Sequence, residues 1–393
     1  MDAEARTLAS TSAGRLLIGW VGAVAAATVV GLVALWPQAE PPRTSTALGG
    51  PTRAAEVIAA DLVPCPGPAG QTCRRLTIDV DGARARVTLG PVEVTPAVPG
   101  GAAIRVHHVA LPRGTPRPPG FEAWSFAGWD RRGSLLWLGI ALAVVALAVI
   151  RLRGLLAAVG VGVSLVIMLA FVVPAILQDR PPLLVALVGA TAVMFVTVLL
   201  TNGFGAQTLA AAAGITATLA LTSLVGLLAV HAVHLDGQGT EIAAYLSQAH
   251  RGLSLQGIVL AGMVIGALGV LADTAVTQAS AVMALRRADP SLGARSLYRE
   301  GFVVGRDHLS ATIHTLVLAY AGATLPLLLA IHGSAVAATD ALNLHDLAEP
   351  ITATLVGCLG LIAAVPLTTG LAALLVSRVP PRALPANSHS HAH

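Results

Sequence analysis

The sequence predicts an α-helical polytopic membrane protein of about eight transmembrane helices, with a small extracytoplasmic β-domain between the first two spans. Three observations carry this. Apolar residues make up 55% of the chain and charged residues 11%, against about a quarter charged in ordinary soluble proteins. Several apolar runs reach the roughly 18 or more residues that cross a bilayer core of about 30 Å. Between the first two runs lies a stretch whose apolar residues alternate instead of running on.

The spans read as 15–36, 133–150, 154–177, 182–201, 207–234, 256–285, 308–332 and 349–377. The apolar part of the first is too long for a signal peptide and reads as a signal anchor. The formal net charge is +4 and every basic residue is an arginine. Most of these arginines flank spans, so they report topology, and no nucleic-acid partner is expected. With the N-terminus inside, Arg15, Arg151, Arg153, Arg286, Arg287, Arg295, Arg299, Arg306 and Arg378 fall on the cytoplasmic side. Both termini are then cytoplasmic, and the bilayer expected is a cytoplasmic membrane. The domains follow: 1–36 is the N-terminus and anchor, 37–132 the extracytoplasmic segment, 133–377 a seven-helix membrane domain, and 378–393 a disordered tail.

Within the outer segment, "LTIDVDGARARVTL" places Asp81-Gly82 between Leu76, Ile78, Val80 and Ala85, Val87, Leu89. Asp-Gly between alternating runs is a hairpin signal. "AAIRVHHV" adds a strand, giving a β-domain over about 50–110. Cys65 and Cys73 are expected to form a disulfide outside the cytoplasm. "GFEAWSFAGW", with Phe121, Trp124, Phe126 and Trp129, reads as an aromatic belt at the headgroup level.

The chemistry concentrates in two polar stripes. Asp273 lies some 16 residues into the sixth span, roughly 24 Å from its outer end. Thr277 and Ser280 follow on the same helical face, flanked by Thr274 and Gln278. Such a stripe faces other helices or a water-filled cavity, because lipid cannot solvate it. Arg306 and Asp307 open the seventh span, and Asp307, Ser310 and His314 share a face. Asp307 suits a helix N-terminus. Arg306 is the expected partner of Asp273. The pair reads either as a structural ion pair or as part of an ion or substrate pathway.

The segments "GALGVLADTAVTQASAVMALR", "SLYREGFVVGRDHLSATIHTLVLAYAGATLPLLLA" and "ITATLVGCLGLIAAVPLTTGLAALL" resemble the YibE/F-like family of bacterial membrane proteins. The matching elements are G-x-x-x-D followed by polar residues, G-R-D, and T-L-x-L-A-Y-x-G. The resemblance implies a multispanning, permease-like protein without a settled substrate, and it makes Asp273, Arg306 and Asp307 signature positions.

His231, His234, His332 and His345 are imidazoles on the expected outer side and suit a metal ion, although their spacing matches no metal motif. The tail histidines 389, 391 and 393 offer a second tract. No cofactor is otherwise expected. No nucleotide-binding loop, H-E-x-x-H or G-x-S-x-G in a fitting context occurs, so no enzyme is expected. The function expected is a permease or secondary transporter with an intramembrane carboxylate–arginine site, driven by an ion gradient or another chain. It would work alone, as a homo-oligomer, or with a partner membrane subunit. The alternative is a membrane-anchored binding or scaffold component acting through the outer β-domain.

Overall fold

The structure, a computed structural model, describes residues 9–38, 51–65, 70–109, 121–239, 243, 245–247, 250 and 252–379. The tail histidines lie outside these residues, as do 39–50 and 110–120. The chain divides into two compact units: Met1–Pro41 with Val149–His393, and Pro42–Ala148.

The second unit holds five antiparallel strands: β1 (Thr52–Pro64), β2 (Thr72–Val80), β3 (Ala83–Pro91), β4 (Ala103–His108) and β5 (Trp124–Trp129). Their order is β3-β2-β1-β4-β5. The β2–β3 hairpin turns at Asp81-Gly82, both with positive φ, as a two-residue turn of this kind requires. β1 is long enough to serve two neighbours. Its first half pairs with β4 (Thr52↔His107 to Glu56↔Ala103), its second with β2 (Val57↔Ile78 to Pro64↔Thr72), and a bulge at Ile58 turns one into the other. The sheet curls until β3 meets β5. Closing the ring gives the circuit β1-β2-β3-β5-β4 with β3 and β5 parallel, the arrangement of a partly open OB-type barrel. Glu122 clips the seam: its Oε1 accepts from Thr88 Oγ1 at 2.7 Å, and its Oε2 accepts from the Thr88 backbone N–H.

Val57, Leu76, Ile78, Val80, Val87, Ile104 and Val106 fill the barrel, and Trp124, Phe126 and Trp129 pack against them. The aromatic run is therefore strand β5, not an interfacial belt. Its alternation hides because an irregularity in the pairing puts two small residues, Ala127 and Gly128, between Phe126 and Trp129. Cys65 and Cys73 are joined, tying the end of β1 to the start of β2. Helix α2 (Arg132–Ile150) follows and has no buried residue.

The first unit is helical. Its elements are α1 (Ser12–Leu35), α3 (Leu152–Ile167, continued through a π-turn at Met168–Val172 to Leu177), α4 (Pro182–Asn202), α5 (Ala206–Ala232), α6 (Leu255–Ala288), α7 (Ala294–Ala323), α8 (Leu325–His332) and α9 (His345–Val376). The wide π-turn accommodates Pro174 just beyond it, which lacks a backbone donor. Among the described residues seven helices are long and apolar enough to cross a membrane; α7 and α8, bent by 61°, make an eighth if taken as one span. Pro326 sits at the start of α8 and fits the break.

The centre of this unit is α5, α6 and α9, packed through small residues. Ala210, Ala211, Ala279, Ala372 and Ala373 are buried together. A Cβ on Gly214 of α5 would collide with the Thr368 side chain of α9, so these two backbones approach as only glycine permits. α1 is held by side-chain hydrogen bonds: Trp20 Nε1 donates to Thr216 at 3.0 Å and Thr28 to Thr191 at 3.0 Å.

Candidate functional site: a polar seam between α6 and α7

α6 presents two faces. Ser254 caps its start, accepting from Gly257 N–H at 3.1 Å. Inward, Leu271, Thr274, Ala275, Gln278 and Val282 are buried. Outward, Gly262, Gly266, Gly269 and Asp273 are exposed along one line. Helical periodicity produces this line, since successive members stand three or four residues apart.

α7 lies beside both faces. Gly305 sets the contact. A Cβ there would stand 2.6 Å from Gln278 Oε1 and 2.6 Å from Val365 Cγ1 of α9. With Gly305 seated in this notch, His308, one turn on, comes beside Asp273: His308 Nε2 is 3.8 Å from Asp273 Oδ2. The carboxylate is 67% exposed and the imidazole 36%. Arg306, about 200° around the helix from His308, cannot point the same way. It lies instead on the exposed side, 4.0 Å from Asp307. The expected Asp273–Arg306 pair is thus not formed, and His308 takes its place. Asp307 does not cap a helix either: α7 starts at Ala294, more than three turns earlier. His314 is also on the exposed side. Asp273, Arg306, Asp307 and His314 therefore face out of the bundle rather than into it.

The predicted stripe divides. Ser280 accepts a hydrogen bond from Gln207 of α5, whereas Thr277 is half-buried. Gln278 enters the core, where its Oε1 accepts from Thr369 Oγ1 at 2.9 Å. Its Nε2 is buried with no partner among the described residues, as are the hydroxyls of Thr274 and Thr368. Leaving such a group unsatisfied costs about 1–3 kcal/mol. Most other threonines here return their hydroxyl to the preceding turn, as Thr218 does to Gly214 O at 2.8 Å. These orphaned groups make the Gln278 region the polar heart of the bundle.

Along the glycine line from Asp273, the seam leads to Tyr320, whose hydroxyl would stand 3.0 Å from a Cβ on Gly266. Gly262, at the far end of the line, borders a cavity of about 420 Å³ that Met263, Tyr320, Glu349 and Pro350 also line. From Gly262 to Asp273 is roughly 16 Å along α6. Carboxylates thus mark both ends, Glu349 in the cavity and Asp273 beside His308. The sequence reading puts Glu349 only at the first residue of the last span, whereas the helix starts at His345, and it does not single out His308, Tyr320 or Thr369. The neighbouring G-R-D motif adjoins His308 and was the available signal.

The four histidines proposed for metal are not gathered. Among the described residues no group of three His, Cys, Asp or Glu side chains is placed to hold a metal ion. His345 Nε2 lies 3.6 Å from Asp236 Oδ1, His231 Nδ1 contacts Leu227 O at 2.8 Å, and His234 and His332 are exposed. They belong to three helix ends, and among the described residues only His345 finds a carboxylate.

Helices of membrane length around such a seam define the class of multi-pass membrane proteins. Residues 138–378, more than half of the chain, match the model of the YibE/F-like protein family, and the chain belongs to that family. No curated protein and no solved structure matches it.

Proposed function

We propose that the protein is a membrane permease or secondary transporter whose route follows the α6–α7 seam. One observation carries the reading: an aspartate and a histidine in contact on membrane-length helices, on the same exposed line of α6 as Gly262, which borders a cavity lined by a second carboxylate. Ionisable groups at such depth are costly to keep against lipid and mark ion or substrate pathways. Asp273 and His308 are two groups able to hold and pass a proton, and Gln278 and Thr369 supply uncharged ligand atoms one turn inward. Thr277 borders this step. Arg306, Asp307 and His314 form the exposed margin; both signs of charge lie on this one face, and a second copy of the chain would cover it with complementary charges. In this reading both termini are cytoplasmic and the β-unit is outside, an orientation that the arginine distribution supports.

The test uses protein reconstituted in liposomes, with proton entry driven by a potassium diffusion potential and read by an internal pH dye. Wild type moves protons, and Asp273→Asn slows this by at least about tenfold, as loss of an essential titrating group would, while melting within a few degrees of wild type. Normal flux in Asp273→Asn would sink the reading.

A further inference from the structure

We propose that the β-unit carries a binding groove for an extended anionic glycan, one bearing phosphate or carboxylate groups along a sugar chain. The outer faces of β2 and β3, with the segment leading into β5, enclose a groove of about 810 Å³. Its lining includes Arg75, Arg84, Arg86, Phe121, Glu122 and Trp124. The cross-strand register explains the cluster. Thr77 stands opposite Arg86 and Arg75 opposite Thr88, so the arginines share one face while Leu76, Ile78, Ala85 and Val87 point to the core.

The charges are not used up within the fold. Arg84 and Arg86 are exposed and make no ion pair or hydrogen bond among the described residues. The lone carboxylate in the groove, Glu122, is committed to Thr88 and lies 3.8 Å from Arg75 Nε. The groove is therefore net cationic, with guanidinium forks suited to paired anionic oxygens. Trp124 lines the groove; His108 meets its ring edge-on at 5.0 Å between ring centres, and Arg53 lies over it, 5.9 Å from the ring centre. A ring beside cations fits a chain that alternates sugar faces with charged groups.

Three considerations favour this ligand. In an OB-type barrel the surface of the second and third strands is where oligosaccharides and oligonucleotides bind. The groove is concave, so it admits a chain but not the plane of lipid headgroups. The outward placement of the unit, on which the inference depends, removes it from cytoplasmic nucleic acid. The transport reading is not required.

The full-length protein is placed in nanodiscs of neutral phosphatidylcholine and titrated with fluorescent oligogalacturonate and a glycerol-phosphate oligomer. Malto-oligosaccharide of equal length, single-stranded oligonucleotide and phosphatidylglycerol vesicles serve as the other arms. At least one anionic glycan probe binds and malto-oligosaccharide does not. Arg84→Ala with Arg86→Ala weakens that binding by at least about tenfold, and Arg84→Lys with Arg86→Lys recovers part of it. The melting temperature and proton flux stay at wild-type values, because both positions are solvent-facing. The inference is overturned if malto-oligosaccharide binds as well, if the alanine pair changes nothing, or if only the oligonucleotide or the anionic vesicles depend on these arginines.

Discussion

Asp273 and Gln278 lie little more than one turn apart on α6, yet they meet opposite surroundings. Gln278 is fully buried, bonded to Thr369 and pressed by Gly305. Asp273 is mostly exposed and touches one imidazole. The same helix thus spends its inward face on packing and leaves a carboxylate on its outward face. The difference is set by the 100° step between neighbouring positions. It teaches that in a helical bundle of this composition polarity alone does not say which way a residue points. Position relative to the small residues does: Gly305 and the alanines pull α7 and α9 onto one side of α6, and Asp273 falls just past the edge of that contact.

The largest way to break this contrast is Gly305→Leu. The new side chain has no room between Gln278 and Val365, so α7 must move away from both α6 and α9. Overpacking of this kind costs typically about 1–3 kcal/mol and sometimes more. Thermal unfolding in detergent should show a clear drop, with proton flux lost as well; an unchanged melting temperature would mean that α7 does not seat where described. Gln278→Leu sharpens the contrast instead. It removes a buried amide nitrogen that has no partner and leaves Thr369 able to turn its hydroxyl to its own helix. A purely structural Gln278 then gives a variant destabilised by roughly 1 kcal/mol, the worth of its one hydrogen bond. The transport reading expects stability equal to or above that of wild type, with flux reduced several-fold.

Much of the architecture was legible because bilayer-length apolar runs and a β-hairpin turn are local signals. Apart from α7, the helix ranges from Ser12 to Val376 follow the hydropathy within a few residues, and Asp81-Gly82 turns where expected. What failed was long-range or phase-dependent. The α7 start at Ala294 escaped because "ARSLYREG" is polar and helical at once, so hydropathy placed the span's beginning near 308. That shift alone misread Asp307 as a cap. The partner of Asp273 was misassigned because charge was matched to charge, whereas the 200° between Arg306 and His308 decides which of them reaches α6. β1 and β5 escaped because a strand shared between two neighbours, and a strand whose pairing is irregular between its aromatics, do not show the simple polar–apolar alternation of the β2–β3 hairpin. The cationic groove depends on β2–β3 register and on the closure of β3 against β5, neither of which a linear reading contains.

The smallest expected effect lies where α6 ends and the chain turns toward α7. Arg286 Nη1 reaches across this turn to Leu292 O at 2.7 Å. Asp289 accepts from Ser291 Oγ at 2.6 Å and from Ser291 N–H at 2.9 Å, and these bonds, the hydroxyl's first, hold its carboxyl below the ordinary range. A folded-state value lowered in this way gives stability that is present above the unfolded value of about 3.9 and lost as pH falls through the folded one. Ser291→Ala removes the larger cause. The variant should melt slightly below wild type at neutral pH, and the two curves should converge as pH drops below the usual aspartate range. An Asp289→Asn background isolates the cause: there Ser291→Ala should lose its pH dependence, and convergence that persists unchanged would mean that the turn is not its source.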